Sequence, residues 1–330
     1  MNAAAPIVER RLFLAAAGAL LAACCTAPAQ AQDYPSRNIT IIVPFPAGGI
    51  VDAAARLLQP EFEKAFGRTV IIENRGGAAG VVGTAAVVKA EPDGHTLLMV
   101  TSSHTTTPVI NTKVPYDTER DLAPVAIFAR DPLLFVVSNN VPARSLAEFV
   151  AMAKAEPSKL NYATPGYGSG AHFVTELLSQ RAGIKMQHVP YRGGAPAVLA
   201  VVTGDAQFSA LSGQVSLPQI HAGAIRALAV GGLQRHPALP DAPTVAESGY
   251  PGFEAVQWVG LLAPRGTPKP VIDRLHAVLT QALKTPEIAA RFTSQGMTPA
   301  VSTPAEFQAV IEAEMKQWRE VAEAAKIKPE

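Results

Sequence analysis

The stretch ITIIVPFPAGG, residues 39–49, decides the fold. Ile39–Val43 is an unbroken β-branched run without polar alternation, which reads as a strand buried on both faces. Pro44 closes it, because proline brings no N–H to a sheet ladder. Beyond Gly48 and Gly49 the period changes. Ala53, Ala54, Leu57, Leu58 and Phe62 recur at helical spacing to about Phe66. A strand, a glycine turn and a helix make the opening of a strand–helix–strand unit. The two glycines let backbone approach a ligand closely, and the helix start leaves N–H groups unpaired. Such N–H groups and the helix dipole favour an anion. Asp52, in the first turn, is a carboxylate that can serve the same N–H groups. The same glycines also suit any tight strand–helix turn.

Outward from this unit the alternation continues. Val70–Ile72 reads as a strand, Arg75–Gly77 as a turn, 78–89 as a helix and Leu97–Thr101 as a third strand. After Pro132 the pattern resumes. Strands are expected at 133–138, 160–163, 186–189, 206–210 and 226–230, and helices at 145–155, 169–181 and 195–202. Alternation of this kind predicts parallel, doubly wound sheets. Prolines 237, 240, 243 and 251 mark a long loop, and 259–263 is a last strand. The helix expected from 304 to 326 carries Phe307, Val310, Ile311, Met315, Trp318 and Val321 on one stripe, a packing face. The sum is two α/β lobes with a helical tail returning to the first.

Composition removes several classes. The 330 residues hold 28 Lys+Arg and 27 Asp+Glu, a net charge of +1, so no basic surface points to nucleic acid or an anionic membrane. Charged residues are 17%, against roughly 25% in typical soluble domains. Hydrophobic residues, at 48%, are too many for a disordered chain. The two cysteines, Cys24 and Cys25, fall in a leader. Residues 1–31 carry Glu9, Arg10 and Arg11 before the apolar run 12–23, which is shorter than the roughly 20 residues of a spanning helix. With Ala29-Gln30-Ala31 this reads as an export signal cut before Gln32. Two alternatives stay open. Arg10-Arg11-Leu12-Phe13-Leu14 resembles the twin-arginine motif as well as an ordinary n-region, and Leu21-Ala22-Ala23-Cys24 resembles a lipobox that would anchor the chain at Cys24. Cutting after Ala31 takes two bases from 28 and one acid from 27, leaving 26 of each.

Catalytic and metal signatures are absent: there is no G-x-S-x-G, H-E-x-x-H or Walker sequence. No two of the seven histidines pair at i, i+3 or i+4, so neither a metal nor a cofactor is expected. The chemistry gathers at strand ends, where open α/β sheets bind ligands. One such end is Phe45, Ala47, Gly48 and Gly49 with Asp52; a second is Ser102, Ser103 and His104; a third is Gly168 and Ser169 ahead of His172. A fourth is the Tyr191-Arg192-Gly193-Gly194 turn, whose Arg192 either meets an anion or is a surface charge. Hydroxyls and glycines with little net charge point to a carboxylate held by N–H and O–H groups.

The strings VPFPAGGIVDAAAR (43–56), PYDTERDLAPV (115–125), HVPYRGGAPA (188–197), LPQIHAGAIRALAV (217–230), PTVAESGYPGFE (243–254) and GLLAPRGTPKPVIDRL (260–275) together resemble the tripartite tricarboxylate transporter receptors, the Bug family. The resemblance runs in order along nearly the whole mature chain. It implies an α/β periplasmic-binding-protein (Venus flytrap) fold of two lobes, each a mixed sheet flanked by helices. Lobe 1 would be 33–132 plus 259–330, and lobe 2 would be 133–258. It implies a periplasmic, monomeric solute-binding protein that delivers a small organic acid to membrane permease subunits. Carried over, the family's ligand loops fall on the three strand ends above. One departure is informative: where many relatives read Phe-Asp-Asn, this chain has Ala210-Leu211-Ser212. Leu211 in place of the acid predicts a ligand that is not an amino acid and has an apolar part. An exported hydrolase using Ser169 and His172, and a sensory receptor using the same cleft, are the alternatives.

Overall fold

The structure, a computed structural model, describes residues 34–327. The leader, its cleavage site and Cys24 lie outside the described residues. In chain order the elements are β1 (Ile39–Val43), α1 (Ile50–Phe66), β2 (Val70–Asn74), α2 (Val81–Val88), β3 (Thr96–Thr101), α3 (Ser103–Ile110), β4 (Leu122–Pro132), β5 (Leu134–Ser138), α4 (Leu146–Ala155), β6 (Asn161–Thr164) and α5 (Gly170–Ala182). They continue with β7 (Gln187–Pro190), α6 (Gly194–Thr203), β8 (Phe208–Leu211), α7 (Gly213–His221), β9 (Ile225–Val230), β10 (Val256–Pro264), α8 (Lys269–Leu283), α9 (Pro286–Ser294), β11 (Thr298–Pro299) and α10 (Pro304–Ala325).

The strands form two sheets. The first runs β11-β4-β10-β3-β1-β2 and the second β7-β6-β8-β5-β9. β1 lies parallel between β2 and β3, with Ile41 opposite Ile72 and Leu97. The parallel-sheet expectation holds for β2-β1-β3 and, in the second sheet, for β7-β6-β8. β10 runs antiparallel to both β3 and β4, and β5 runs antiparallel to β8 and β9. Both sheets are therefore mixed, and each is the centre of one α/β lobe.

Several elements went unread in the sequence, β4, α3 and α7 among them. β4 is the longest strand, yet Pro124, Arg130, Asp131 and Pro132 break its apolar pattern. α3, SHTTTPVI, has β-branched residues and an internal proline and little helix propensity of its own. α7 begins at Gly213 and contains Pro218. Tertiary packing overrides local preference in each case.

From Arg37 onward the chain packs as one compact unit, so the lobes touch closely. The first sheet's core includes Ile42, Leu98, Ile127, Trp258 and Phe307. The second sheet's includes Phe135, Phe149, Tyr162, Phe173 and Phe208. α10 enters both: Phe307, Ile311 and Met315 pack in the first core, and Trp318, Val321 and Ala322 in the second. A capping box fixes its start, with Thr303 Oγ1 accepting from the Glu306 N–H and the Glu306 carboxylate accepting from the Thr303 N–H.

Candidate functional site

A cleft of about 560 Å3 is walled from both lobes. Its wall contains the starts of five helices. Gly49 precedes α1, Ser102 precedes α3, Ser169 precedes α5, Gly194 opens α6 and Ser212 precedes α7. Each start presents backbone N–H groups without an intrahelical acceptor and the positive end of a helix dipole. Among the described residues no Lys, Arg or His lines the cleft. Its polar side chains are hydroxyls and amides: Thr101, Ser102, Ser103, Ser169, Ser212, Gln214 and Gln257. The remainder is apolar, with Phe45, Ile50, Val51, Leu211 and Val215. The surface combines N–H and O–H donors with apolar area and carries no charged side chain among the described residues.

Each loop is held from behind. Gly48 adopts φ +85°, a left-handed turn open to glycine, and its N–H donates to Asp52 Oδ2 at 2.9 Å. Asp52 also accepts from Arg56 Nε and from Asn74 Nδ2. Burial alone would raise this carboxyl, but the bonds from Arg56, Gly48 and Asn74 outweigh it and hold it below the usual range. Asp52 thus shapes the loop and does not line the cleft. Asp52→Ala is expected to cost about 1–3 kcal/mol, the penalty for stranding donors around a buried acceptor. Because the folded value is depressed, the charge's contribution is complete above the ordinary carboxylate value and is lost as pH falls through the folded one. Chemical denaturation at pH 7 and pH 3 checks both; equal wild-type and variant stability at pH 7 would contradict it.

At the second loop Thr101 Oγ1 and Ser103 Oγ lie 2.9 Å apart, and Thr105 Oγ1 lies 2.8 Å from the Ser102 carbonyl. His104 points inward instead. It is 4% exposed, and burial pushes it down to about 4, so it is neutral at pH 7. It lines a separate small cavity beside Thr84 and Tyr116.

At the third loop Ser169 Oγ caps α5 by accepting the His172 N–H, and the Gly168 N–H donates to His172 Nδ1 at 3.1 Å. The His172 ring stacks on His188 at 3.9 Å, and His188 Nε2 lies 2.6 Å from Thr164 Oγ1. Burial, then the neighbouring His188, drives His172 down to about 3. An imidazole so weakly basic and so engaged is a poor general base for Ser169. Gly168 packs against Ile110 of α3; a Cβ there would lie 1.8 Å from Ile110 Cδ1.

Of the expected residues, the cleft brings together Phe45, Ala47, Gly48, Gly49, Ser102, Ser103, Ser169 and Leu211. Asp52, His104, Gly168 and His172 stand behind it as supports, and Arg192 is exposed outside the lining. The sequence reading missed Gln257, because β10 begins three residues earlier than expected, at Val256. It also missed Ser212 and Gln214. Strand–Ser–Gly–helix occurs at both Ser169-Gly170 and Ser212-Gly213, so the repeat itself was the available signal. Gly213 is further held by the buried Asp131, whose Oδ1 accepts its N–H at 3.1 Å.

The chain matches the family described as tripartite tricarboxylate transporter family receptor over residues 54–327. It is 36% identical to Protein BugT of Bordetella pertussis, covering 93% of each chain. Among solved structures it is similar to R. palustris Rpa4515 with adipate, at 33% identity and a TM-score of 0.79, over 90% of this chain and all of that one. It is also similar to MatC (Rpa3494) from Rhodopseudomonas palustris with bound malate, at 32% identity and a TM-score of 0.74, over 87% and 99%. Among the described residues no helix is long and apolar enough to cross a membrane.

Proposed function

The chain belongs to the tripartite tricarboxylate transporter receptor family, and from that premise we propose that it captures a small organic carboxylate in the cleft. The observation that carries this reading is the meeting of five helix starts in a cleft with no cationic side chain. Backbone N–H groups and dipoles hold a carboxylate without the cost of desolvating a lysine or arginine. The adipate and malate bound in the two similar structures are carboxylates of this kind. Leu211, in the wall from lobe 2, favours a ligand with an apolar portion and no ammonium group. Lobe 1, at 33–132 with 259 onward, and lobe 2, at 133–258, close on it by a hinge motion. The exported protein then hands it to a membrane permease in the periplasm and catalyses no reaction on it.

A thermal-shift screen with adipate, malate, benzoate, glutamate and a neutral sugar tests this. A ligand at a hundred times its Kd adds about 2.7 kcal/mol, which raises the midpoint by roughly 5–10 °C. Adipate or another plain carboxylate is expected to do so and glutamate is not. A shift with the sugar alone, or with glutamate above all carboxylates, overturns the reading.

A further inference from the structure

Behind the cleft, between β4, β10, α3 and α10, lies a second cavity of about 210 Å3 that shares Ser102, Gly170 and Gln257 with it. Two acids line it, and one of them is Glu314 of α10. Glu314 Oε1 accepts from Trp258 Nε1 at 2.9 Å, and Glu314 Oε2 lies 2.6 Å from Thr105 Oγ1. The same Thr105 oxygen lies 2.8 Å from the Ser102 carbonyl. A threonine hydroxyl has one proton, so it donates to one oxygen only. The Ser102 carbonyl also accepts the Thr105 N–H at 3.1 Å, so what an ionised Glu314 would create is one short oxygen–oxygen contact at Thr105 Oγ1 with no proton in it. A proton on Glu314 Oε2 makes both contacts hydrogen bonds in a relay: Glu314 donates to Thr105, and Thr105 donates to the Ser102 carbonyl.

We propose that Glu314 is a positioning residue of the ligand site, carrying a proton that fixes the Ser102 loop through Thr105 while its other oxygen fixes the strand of Gln257 through Trp258. The proposal rests on the cleft being the ligand site. Ser102 and Gln257 face the ligand space from neighbouring elements, and one carboxyl group behind them sets their separation. The sequence offers no hint of it, because Glu314 lies more than two hundred residues from Ser102 on a helix whose apolar stripe reads as plain packing.

The surroundings favour the neutral acid. Burial pushes the Glu314 carboxyl up to about 7, which its hydrogen-bond contacts and the Arg130 charge offset only in part. Arg130 on β4 and the exposed Glu254 ahead of β10 line the same cavity. The other titratable groups on packed elements are engaged or outside. His104 on α3 is buried and neutral, Asp131 on β4 holds the Gly213 N–H, His172 and Glu176 on α5 bond to Gly168 and Tyr162, and Arg181 is exposed. On α10 itself Glu312 and Lys316 face solvent. Because the folded value lies above the ordinary 4.5, the stabilisation is full below 4.5 and is lost as pH rises through about 7.

Glutamine is the test residue, since its amide donates to Thr105 and accepts from Trp258 as the neutral acid does, and does not titrate. Amide exchange over residues 102–106 is compared between wild type, Glu314→Gln, Glu314→Ala and Thr105→Val at matched pH. At pH 6 wild type and Glu314→Gln should be equally protected, with the other two exchanging faster. At pH 8 wild type should loosen while Glu314→Gln does not. Calorimetry with adipate should then show roughly tenfold weaker binding by wild type at pH 8 than at pH 6, the worth of about one buried hydrogen bond, and less than a twofold change for Glu314→Gln. Protection in Glu314→Gln as low as in Glu314→Ala, or wild type matching Glu314→Gln at pH 8, overturns the relay. The exchange pattern without adipate binding upholds the relay and counts against adipate as the ligand.

Discussion

Ala47→Asp should weaken carboxylate binding by about a hundredfold and leave the melting midpoint unchanged within about 1 °C. Ala47 is exposed on the turn between β1 and α1, belongs to neither core, and lines the cleft. A carboxylate there sits on the order of 6 Å from a ligand carboxylate. At an effective dielectric of about 20 the repulsion is about 3 kcal/mol, which is more than tenfold twice over. The new side chain also competes for the N–H groups at the start of α1, as a ligand would. Ala47→Asn, equal in size and uncharged, should remain within about threefold of wild type, which separates charge from bulk. Calorimetry with the best carboxylate of the thermal screen at low salt reads both variants. Ala47→Asp binding within fivefold of wild type would mean that the ligand's charge lies elsewhere.

The backbone half of this site was legible because it is written in local chemistry. Gly48-Gly49, Ser102-Ser103 and Ser169 stand where a strand ends and a helix begins, and that position alone predicts free N–H groups. Side-chain direction was not legible. His104 and His172 sit in the same loops as Ser103 and Ser169, yet both imidazoles turn inward, where burial keeps them neutral. Asp52 looked like a rival for the helix N–H groups and is instead the brace of Gly48. Nothing in a single chain says which face of a first helical turn meets the cleft; the packing of Asn74 and His188 against these loops decides it.

The fold shows the same division. β1 and β2 were readable because β-branched runs leave no other choice. β4 was not, since Arg130 and Asp131 interrupt its pattern while the sheet buries it on both sides between β10 and β11. The direction of β10 was also hidden, because strand sense depends on where the chain re-enters after the second lobe.

Where α10 belongs has energetic consequences at both of its ends. Its apolar stripe reads as one packing face, but the face is divided between two cores. Phe307 is fully buried, edge-on to Trp258 at 4.9 Å, and close enough to Gly260 that a Cβ there would lie 2.5 Å from its ring. Trp318, more than two turns later, packs on Phe173 of the second lobe at 5.6 Å. Truncating either ring removes a large buried side chain and leaves a void, at a cost of about 3–5 kcal/mol. Phe307→Ala and Trp318→Ala should therefore each lower the midpoint by roughly 6–20 °C at roughly 2–4 °C per kcal/mol. A tail that served only the first lobe would make Trp318→Ala nearly silent, below about 1 kcal/mol, and calorimetric melting of the two variants distinguishes the cases. If both are costly, α10 crosses from one lobe to the other as a fixed strut.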